Sequence, residues 1–358
     1  MRTSTHDDGY LAGVTRLDAA VLGLNLDGLT LRFISGRDIE LLALTRQEIL
    51  SAVEEACGAQ GRGQVVLEPR VHLVPPNGGR GHFNVLRGHL SPQNVSGVKV
   101  VGDFVQNYRL GLPSELALIT LYDPETGSPV CIVDGTMITS ARTGAMTALG
   151  AKHLARADSK VLGHLGARGT AWWNVTMLDD IFDFEEIRVT SRRPESRQEF
   201  ARTLSDHLGK VVRSVATVEE ALVGADIMVE ATRLTEPTVL LRTEWVTPGT
   251  LVIPYGTVSA VELSLTDVMD KIVVDDWGQA AAGRFGALRR HVDEGLLTRD
   301  TLHAELGEIV AGSAPGRERP EERILFWHRG LATSDIAVAH LIWQRAAEAG
   351  LGTVLTYH

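Results

Sequence analysis

The chain has 358 residues, 44% hydrophobic and 22% charged, the composition of an ordinary globular protein long enough for two domains. Thirty-five Lys and Arg against 45 Asp and Glu leave a net charge of −10, which argues against nucleic acid or an anionic membrane surface as the main partner. Cys57 and Cys131 form no CxxC pair, and Cys131 sits in the apolar run Val130–Val133 as a buried thiol would, so a reducing, cytoplasmic setting is expected. The start of the chain lacks the basic-then-apolar pattern of a signal peptide, and no apolar run approaches the roughly 20 residues of a membrane span. The NxS/T triplets at Asn94 and Asn174 read as chance matches.

Residues 1–30 carry no strong pattern and read as an N-terminal extension. Leu31–Ser35 reads as a strand, followed by a turn at Ser35–Asp38 into a helical stretch. Residues 45–59 have apolar positions at helical spacing behind a Thr45/Glu48 capping box, and Gly61-Arg62-Gly63 ends them. Strand-like runs follow at Val65–Leu67, Val71–Val74, Val95–Val101, Leu116–Tyr122 and Val130–Val133, the last two joined by a turn at Asp123–Gly127. This first third is predicted to be a mixed α+β unit. A long helix is expected over Thr139–Ala157, then a short apolar strand, Lys160–Gly166, ending in glycines. Further strands at Ile187–Thr190, Val211–Val212, Ile227–Ala231, Leu251–Pro254 and Ile272–Asp275 alternate with helices at 195–208 and 217–223. That alternation predicts a Rossmann-type, doubly wound parallel sheet of α/β class. A final helix is expected at Ser334–Leu351.

The strand that ends at Gly166 runs into Gly166-Ala167-Arg168-Gly169-Thr170-Ala171, a glycine turn that would present backbone N–H groups to a pyrophosphate. Gly166, Arg168, Gly169 and Thr170 are its candidate contacts, although Arg168 stands where the second glycine of GxGxxG belongs. One βαβ step later, the acid that binds a ribose 2′-hydroxyl is replaced by Ser191-Arg192-Arg193. A hydroxyl and two guanidiniums suit a 2′-phosphate, so NADP(H) is expected over NAD(H); the plainer alternative is a solvated basic turn. No P-loop, HExxH or GxSxG is present, and no metal is expected.

The stretches Gly111-Leu112-Pro113-Ser114, Asp134-Gly135-Thr136-Met137-Ile138-Thr139-Ser140-Ala141-Arg142-Thr143-Gly144-Ala145, Gly224-Ala225-Asp226 and Gly330-Leu331-Ala332-Thr333-Ser334-Asp335 resemble the ornithine cyclodeaminase/mu-crystallin family in order along residues 31–352. The resemblance implies a dinucleotide domain (142–323) and a substrate-binding and dimerisation domain (31–141 with 324–358), paired in a homodimer. It also implies a small imino or amino acid as substrate. By the same resemblance, Arg70 and Arg142 would hold the substrate carboxylate. Ser114, Arg142, Thr143 and Thr232 would touch the cofactor. Lys99 lies in an apolar strand, where desolvation would lower its pKa toward proton transfer, and the family's lysine at this place faces the substrate.

Departures from the family pattern qualify the reaction. The catalytic Asp and following Lys of cyclodeaminases fall on Gly256 and Ala260, with Glu262 the nearest acid in sequence. The family's Lys-Ser pair before the last helix is replaced by Trp327-His328, followed by Arg329, so His328 becomes a candidate second acid and Arg329 a candidate substrate contact. His82 and His89 are further candidates, although a lone His more often serves structure. An imine or ketimine reductase, or an amino-acid dehydrogenase, is therefore the leading expectation. Ammonia-releasing cyclisation and a cofactor-linked binding protein like mu-crystallin are the alternatives.

Overall fold

The computed structural model describes residues 28–76, 80–283 and 285–356. Most of the expected N-terminal extension lies outside them. β1 (Thr30–Ile34) leads to α1 (Gly36–Leu42), capped reciprocally by Ser35 and Asp38, and α2 (Arg46–Gly61) begins on the expected Thr45–Glu48 box. β2 (Val65–Leu67), β3 (Val71–Leu73), β4 (His82–Leu90), β5 (Val95–Asp103), β6 (Glu115–Tyr122) and β7 (Pro129–Asp134) follow, then α3 (Gly135–Leu154). The β6–β7 turn forms as read: Asp123 Oδ1 accepts the Glu125 N–H, and the Gly127 N–H closes onto the Asp123 carbonyl. β8 (Val161–Leu165), α4 (Ala171–Phe182), β9 (Glu186–Thr190), α5 (Pro194–Leu208), β10 (Val212–Ser214), α6 (Val218–Leu222), β11 (Ile227–Glu230) and β12 (Leu251–Pro254) keep the strand–helix alternation. The chain closes with β13 (Lys271–Val274), α7 (Trp277–Ala282), α8 (Arg289–Asp293), β14 (Ala304–Glu305), α9 (Leu306–Val310), β15 (Ile324–Trp327), α10 (Ala332–Glu348) and β16 (Thr353–Thr356).

Two eight-stranded sheets result. The first runs β16-β1-β7-β6-β5-β4-β2, with β3 also on β4, and is antiparallel except where β1 meets β7. The second is parallel throughout, in the order β10-β9-β8-β11-β12-β15-β13-β14, so its topological switch point lies between β8 and β11. Four strands escaped the sequence reading, among them the two-residue β14 at the edge of the parallel sheet. β4 is written His-Phe-Asn-Val-Leu-Arg-Gly-His-Leu, with polar groups on the face that a core would make apolar. β15 lies in the parallel sheet between β12 and β13, so the return to the first sheet comes after Trp327, not at 324. β16, each of whose four residues is exposed, pairs with β1 at the sheet edge. The expected boundary at 141/142 cuts α3, which runs unbroken. α3 begins ahead of Thr139 because Asp134 caps it, accepting the Thr136 N–H at 2.8 Å.

One face of the first sheet is covered by α10. Gly97 allows this, because a Cβ there would lie 2.7 Å from Ile336 Cγ1. The opposite face leaves Val66, Val71, Leu73, Val100, Leu116 and Leu118 41–59% exposed. Asn174 is fully buried in α4, so its triplet is indeed a chance match. Among the described residues, no helix is long and apolar enough to cross a membrane.

Candidate active site

Strand register builds the site. β4 pairs with β5 so that Leu86 faces Lys99, Asn84 faces Val101 and His82 faces Asp103, while β3 sets His72 opposite Asn84. Directly opposed residues share a face, so His72, His82, Asn84 and Lys99 all point to the side covered by α10, with Arg70 continuing the row. His89 falls on the other face, where its ring meets Ser96 Oγ at 3.1 Å, away from the site. Lys99 is 1% exposed; its Nζ donates to Asp335 Oδ1 at 2.6 Å and to Thr139 Oγ1 at 3.4 Å. Arg142 Nε, one helical turn on from Thr139 in α3, donates to the same Oδ1 at 2.8 Å. Two cations thus share one fully buried carboxylate. Burial lowers the Lys99 pKa to about 8, the Arg142 charge adds to this, and Asp335 opposes it.

Arg70 closes the other side. Its Nη2 donates to the carbonyls of Arg329 at 2.6 Å and Gly330 at 2.7 Å. Those carbonyls are held in place by Asp275, just past β13, whose Oδ2 accepts the N–H groups of Arg329 at 2.7 Å and Gly330 at 2.9 Å. Burial pushes Asp275 up to about 6. Gly330 has φ +77°, and a Cβ on it would collide with the Arg142 guanidinium. The loop after β15 therefore needs glycine to bring Arg70 and Arg142 to one cleft. His328 is buried with Nε2 3.0 Å from Thr147 Oγ1, and its ring packs on Tyr255 and Phe326 with centroids at 4.5 and 5.3 Å. Burial, with the Arg142 charge behind it, holds its pKa near 3. A ring kept neutral offers an N–H as a hydrogen-bond donor and not the imidazolium of the second acid expected of it.

The cleft opens onto the C-terminal ends of the parallel strands. Arg233, just beyond β11, ties the two sheets together through Asp103 at 2.7 Å and through Glu115. Gly166 and Gly169 both adopt positive φ, +117° and +60°, and a Cβ at Gly169 would meet nothing within 4 Å. Thr170 caps α4 without a side-chain bond, and its hydroxyl instead pairs with Tyr255 Oη at 2.5 Å. An open glycine turn at a helix N-terminus, next to the switch point, fits the pyrophosphate of a dinucleotide. Arg168 does not block this turn: it reaches out to Ser196 Oγ at 3.3 Å, on the side of Ser191-Arg192-Arg193. Ser191 is half-buried there, and Arg192 and Arg193 are exposed. Thr143, by contrast, bonds back to the Thr139 carbonyl at 2.7 Å inside α3, and Ser114 sits half-buried at the rim, before Glu115.

Several residues at the site were not singled out from sequence. Asp335 was the most consequential, and a lone carboxylate directly ahead of the apolar run Ile336–Ala339 was the available signal. Glu230 is fully buried at the end of β11 and accepts from the Thr232 N–H at 2.8 Å, the Thr232 hydroxyl and the Gly256 N–H at 3.1 Å. A side chain at Gly256 would collide with this carboxylate. The nearest acid to the Gly256 position is therefore Glu230, not Glu262, which is engaged with the Thr243 N–H at 2.7 Å. The Thr232 hydroxyl expected at the cofactor is turned onto Glu230. His164 and Asn174 support the glycine turn from below, His164 bonding the Gly166 carbonyl at 3.0 Å.

Comparison with known proteins fits this geometry. Residues 33–350 match the profile of the Ornithine cyclodeaminase/mu-crystallin family. Alanine dehydrogenase of Archaeoglobus fulgidus is 32% identical over 331 residues, covering 89% of this chain and 99% of that protein. The structure of Thermococcus litoralis Delta(1)-pyrroline-2-carboxylate reductase in complex with NADH and L-proline superposes with a TM-score of 0.84 at 31% identity, covering 90% of this chain and 99% of that one. An archaeal alanine dehydrogenase dimer with bound NAD gives the same TM-score at 30% identity, covering 92% of this chain and 100% of that one.

Proposed function

Because the chain belongs to the ornithine cyclodeaminase/mu-crystallin family, we propose that its cleft interconverts a small imino acid and the corresponding amino acid, with NADP(H) preferred over NAD(H). The enzyme is an NAD(P)-dependent oxidoreductase acting on C=N or CH–NH2 bonds, as its relatives are. The observation that carries the reading is the buried Lys99, poised near pH 8 between Asp335 and the substrate-facing arginines. A bound dinucleotide supplies a hydride to the carbon of the C=N bond, or accepts it in the reverse direction. Arg70 and Arg142 hold the substrate carboxylate, whose two oxygens match a guanidinium fork. Lys99, as the ammonium, donates a proton to the imine nitrogen, and as the amine it takes that proton back. Asp335 keeps both cations in place without touching the reacting atoms.

Cofactor preference rests on Ser191, Arg192, Arg193 and the outward-reaching Arg168, which together offer a hydroxyl and three guanidiniums to a 2′-phosphate. The ammonia-releasing cyclisation is disfavoured. Gly256 and Ala260 carry no acid or base, and the acceptor sites of Glu230 are taken by three donors that hold the loops after β11 and β12. A homodimer through the exposed apolar face of the first sheet suits those side chains, as the archaeal alanine dehydrogenase neighbour is a dimer. The test is consumption of NADPH and NADH by the purified protein over a panel of cyclic and linear imines. Reduction of at least one imine, faster with NADPH, is expected; equal use of both cofactors sinks the preference, and robust conversion of ornithine to proline sinks the reaction assignment.

A further inference from the structure

The cleft gathers more guanidinium and ammonium groups than one substrate carboxylate can contact. Arg70, Lys99, Arg142 and Arg329 converge on it, and the carboxylates bonded among them are Asp335 and the buried Asp275. The Arg329 guanidinium has no carboxylate within 4.0 Å among the described residues; its one hydrogen bond, to the Gln279 carbonyl, is 3.4 Å long. It lies 5.8 Å over the Trp327 ring, and a Cβ on Gly283 would collide with it, so the loop after α7 is shaped around this side chain. Burial, with the Arg70 charge behind it, brings Arg329 down to about 9, and the Asp275 carboxylate opposes this only in part.

Beside it, the row on the inner face continues past Arg70. The His72 ring packs against His82 at 5.5 Å and Phe285 at 5.9 Å, and His82 stacks on Phe285 at 5.6 Å. Neither ring nitrogen of His72 finds a partner in good geometry among the described residues, and Arg70 Nε is likewise buried and unbonded. Burial and the neighbouring Arg70 lower the His72 pKa, and Asn84, set opposite it on β4, works the other way. Donors without acceptors, beside aromatic rings and two strands across the sheet from Lys99, describe a place for an anionic group on the substrate's own side chain.

We propose that Arg329 and His72 form a second anion subsite, so that the substrate is a dicarboxylic imino or amino acid whose side-chain carboxylate lies between them. The inference rests on the reductase reading for the orientation of the substrate: α-carboxylate on Arg70 and Arg142, nitrogen at Lys99, side chain running along β3 and β4 toward Arg329. A second carboxylate supplies the acceptors that Arg329 and His72 lack.

The experiment compares matched ligands. With NADP⁺ bound, calorimetry measures L-aspartate and L-glutamate against L-alanine and L-norvaline. Turnover is measured with oxaloacetate and 2-oxoglutarate against pyruvate and 2-oxobutyrate, each with ammonium and NADPH. The dicarboxylic member of each pair is expected to bind, and to turn over by kcat/KM, about tenfold or more better, the scale of one charge-assisted hydrogen bond. Arg329→Gln should collapse that ratio toward one. Arg242→Gln, whose guanidinium lies over Trp245 instead, should leave it. Arg329→Lys, which keeps the charge but loses the fork, should retain an intermediate ratio and serves if the glutamine variant does not fold. A wild-type ratio of one or less, or a ratio that Arg329→Gln and Arg329→Lys both leave unmoved, overturns the subsite. Turnover that fails with every imine while the binding ratio and its loss in Arg329→Gln persist overturns the reductase reading and leaves the subsite standing.

Discussion

Lys99, Arg142 and Asp335 meet beneath the first sheet almost wholly out of water, whereas Arg168, Arg192 and Arg193 stand in solvent beside the parallel sheet. Both groups are clusters of positive charge, and both are placed to meet an anion. The buried cluster is pinned by a carboxylate and by helix–sheet packing through Gly97, so its geometry is set before substrate arrives. The exposed cluster sits on a turn, costs the fold little, and under the proposed reading gains its worth only when a phosphate is present. Catalysis needs the first arrangement, because a proton donor must be held at a fixed place with a shifted pKa. Discrimination between two cofactors needs only the second.

Removing the buried lysine should break the contrast most sharply. Lys99→Ala is expected to cut imine turnover by about 100- to 10,000-fold, the range for losing a positioned general acid. NADPH affinity, measured by fluorescence, should stay within about twofold because no part of Lys99 reaches the glycine turn. Imine reduction at the unmodified rate by this variant would remove Lys99 from the mechanism.

Asp335→Ala tests the pinning itself. It strands Lys99 and Arg142 as uncompensated buried charges, for which about 3–5 kcal/mol of stability should be lost. Denaturant unfolding reads this directly. A loss below about 1 kcal/mol would mean that the two cations are already solvated, as a surface pair would be.

How much of this was legible in the sequence follows the same division. The cofactor end is written locally: a glycine turn after a strand, and one βαβ step later a basic turn in place of an acid. Chain neighbours carry the groups on which the cofactor proposal rests, so a linear reading can make it. The substrate end depends on register. Lys99 could be suspected from its apolar strand, but its partner Asp335 comes from a helix 236 residues away. β4 was passed over because its inward positions hold His82, Asn84 and Gly88, a polar pattern imposed by the cleft it lines. Family resemblance supplied Arg70 and Arg142. It could not show that Glu230 fills the space beside Gly256, since the two are neighbours only across β11 and β12. His328 misled for the same reason: its polarity suggested an acid, and only burial against Tyr255 and Phe326 shows a neutral ring.

At the exposed cluster the expected effect is smaller. Arg192→Ala with Arg193→Ala should weaken NADPH binding by about tenfold to a hundredfold, the scale of charge-assisted contacts to phosphate, while NADH binding moves little. The loss should grow milder at high salt, because these groups are screened and the buried ones are not. If both cofactors weaken together, the turn supports the fold of the domain and does not read the 2′-phosphate.

The smallest effect is also the one that separates the two directions of reaction. With Lys99 titrating near 8, reduction needs the ammonium and oxidation needs the amine. The reductive kcat/KM should therefore be flat at lower pH and fall on the alkaline side, by about fourfold between pH 7 and 8.5 for a single ionisation. The oxidative kcat/KM should rise across the same window to a plateau. Stability should move in the opposite sense from the reductive rate. The folded-state pKa is depressed below the unfolded value of 10.5, so between about 8 and 10.5 the unfolded chain binds more protons and the fold gains stability as pH rises. Lys99→Met abolishes both dependences if they arise at this residue. An alkaline limb that survives unchanged in the residual activity of Lys99→Met would assign the proton to another group in the cleft, leaving Lys99 as a charge that only orients the carboxylate.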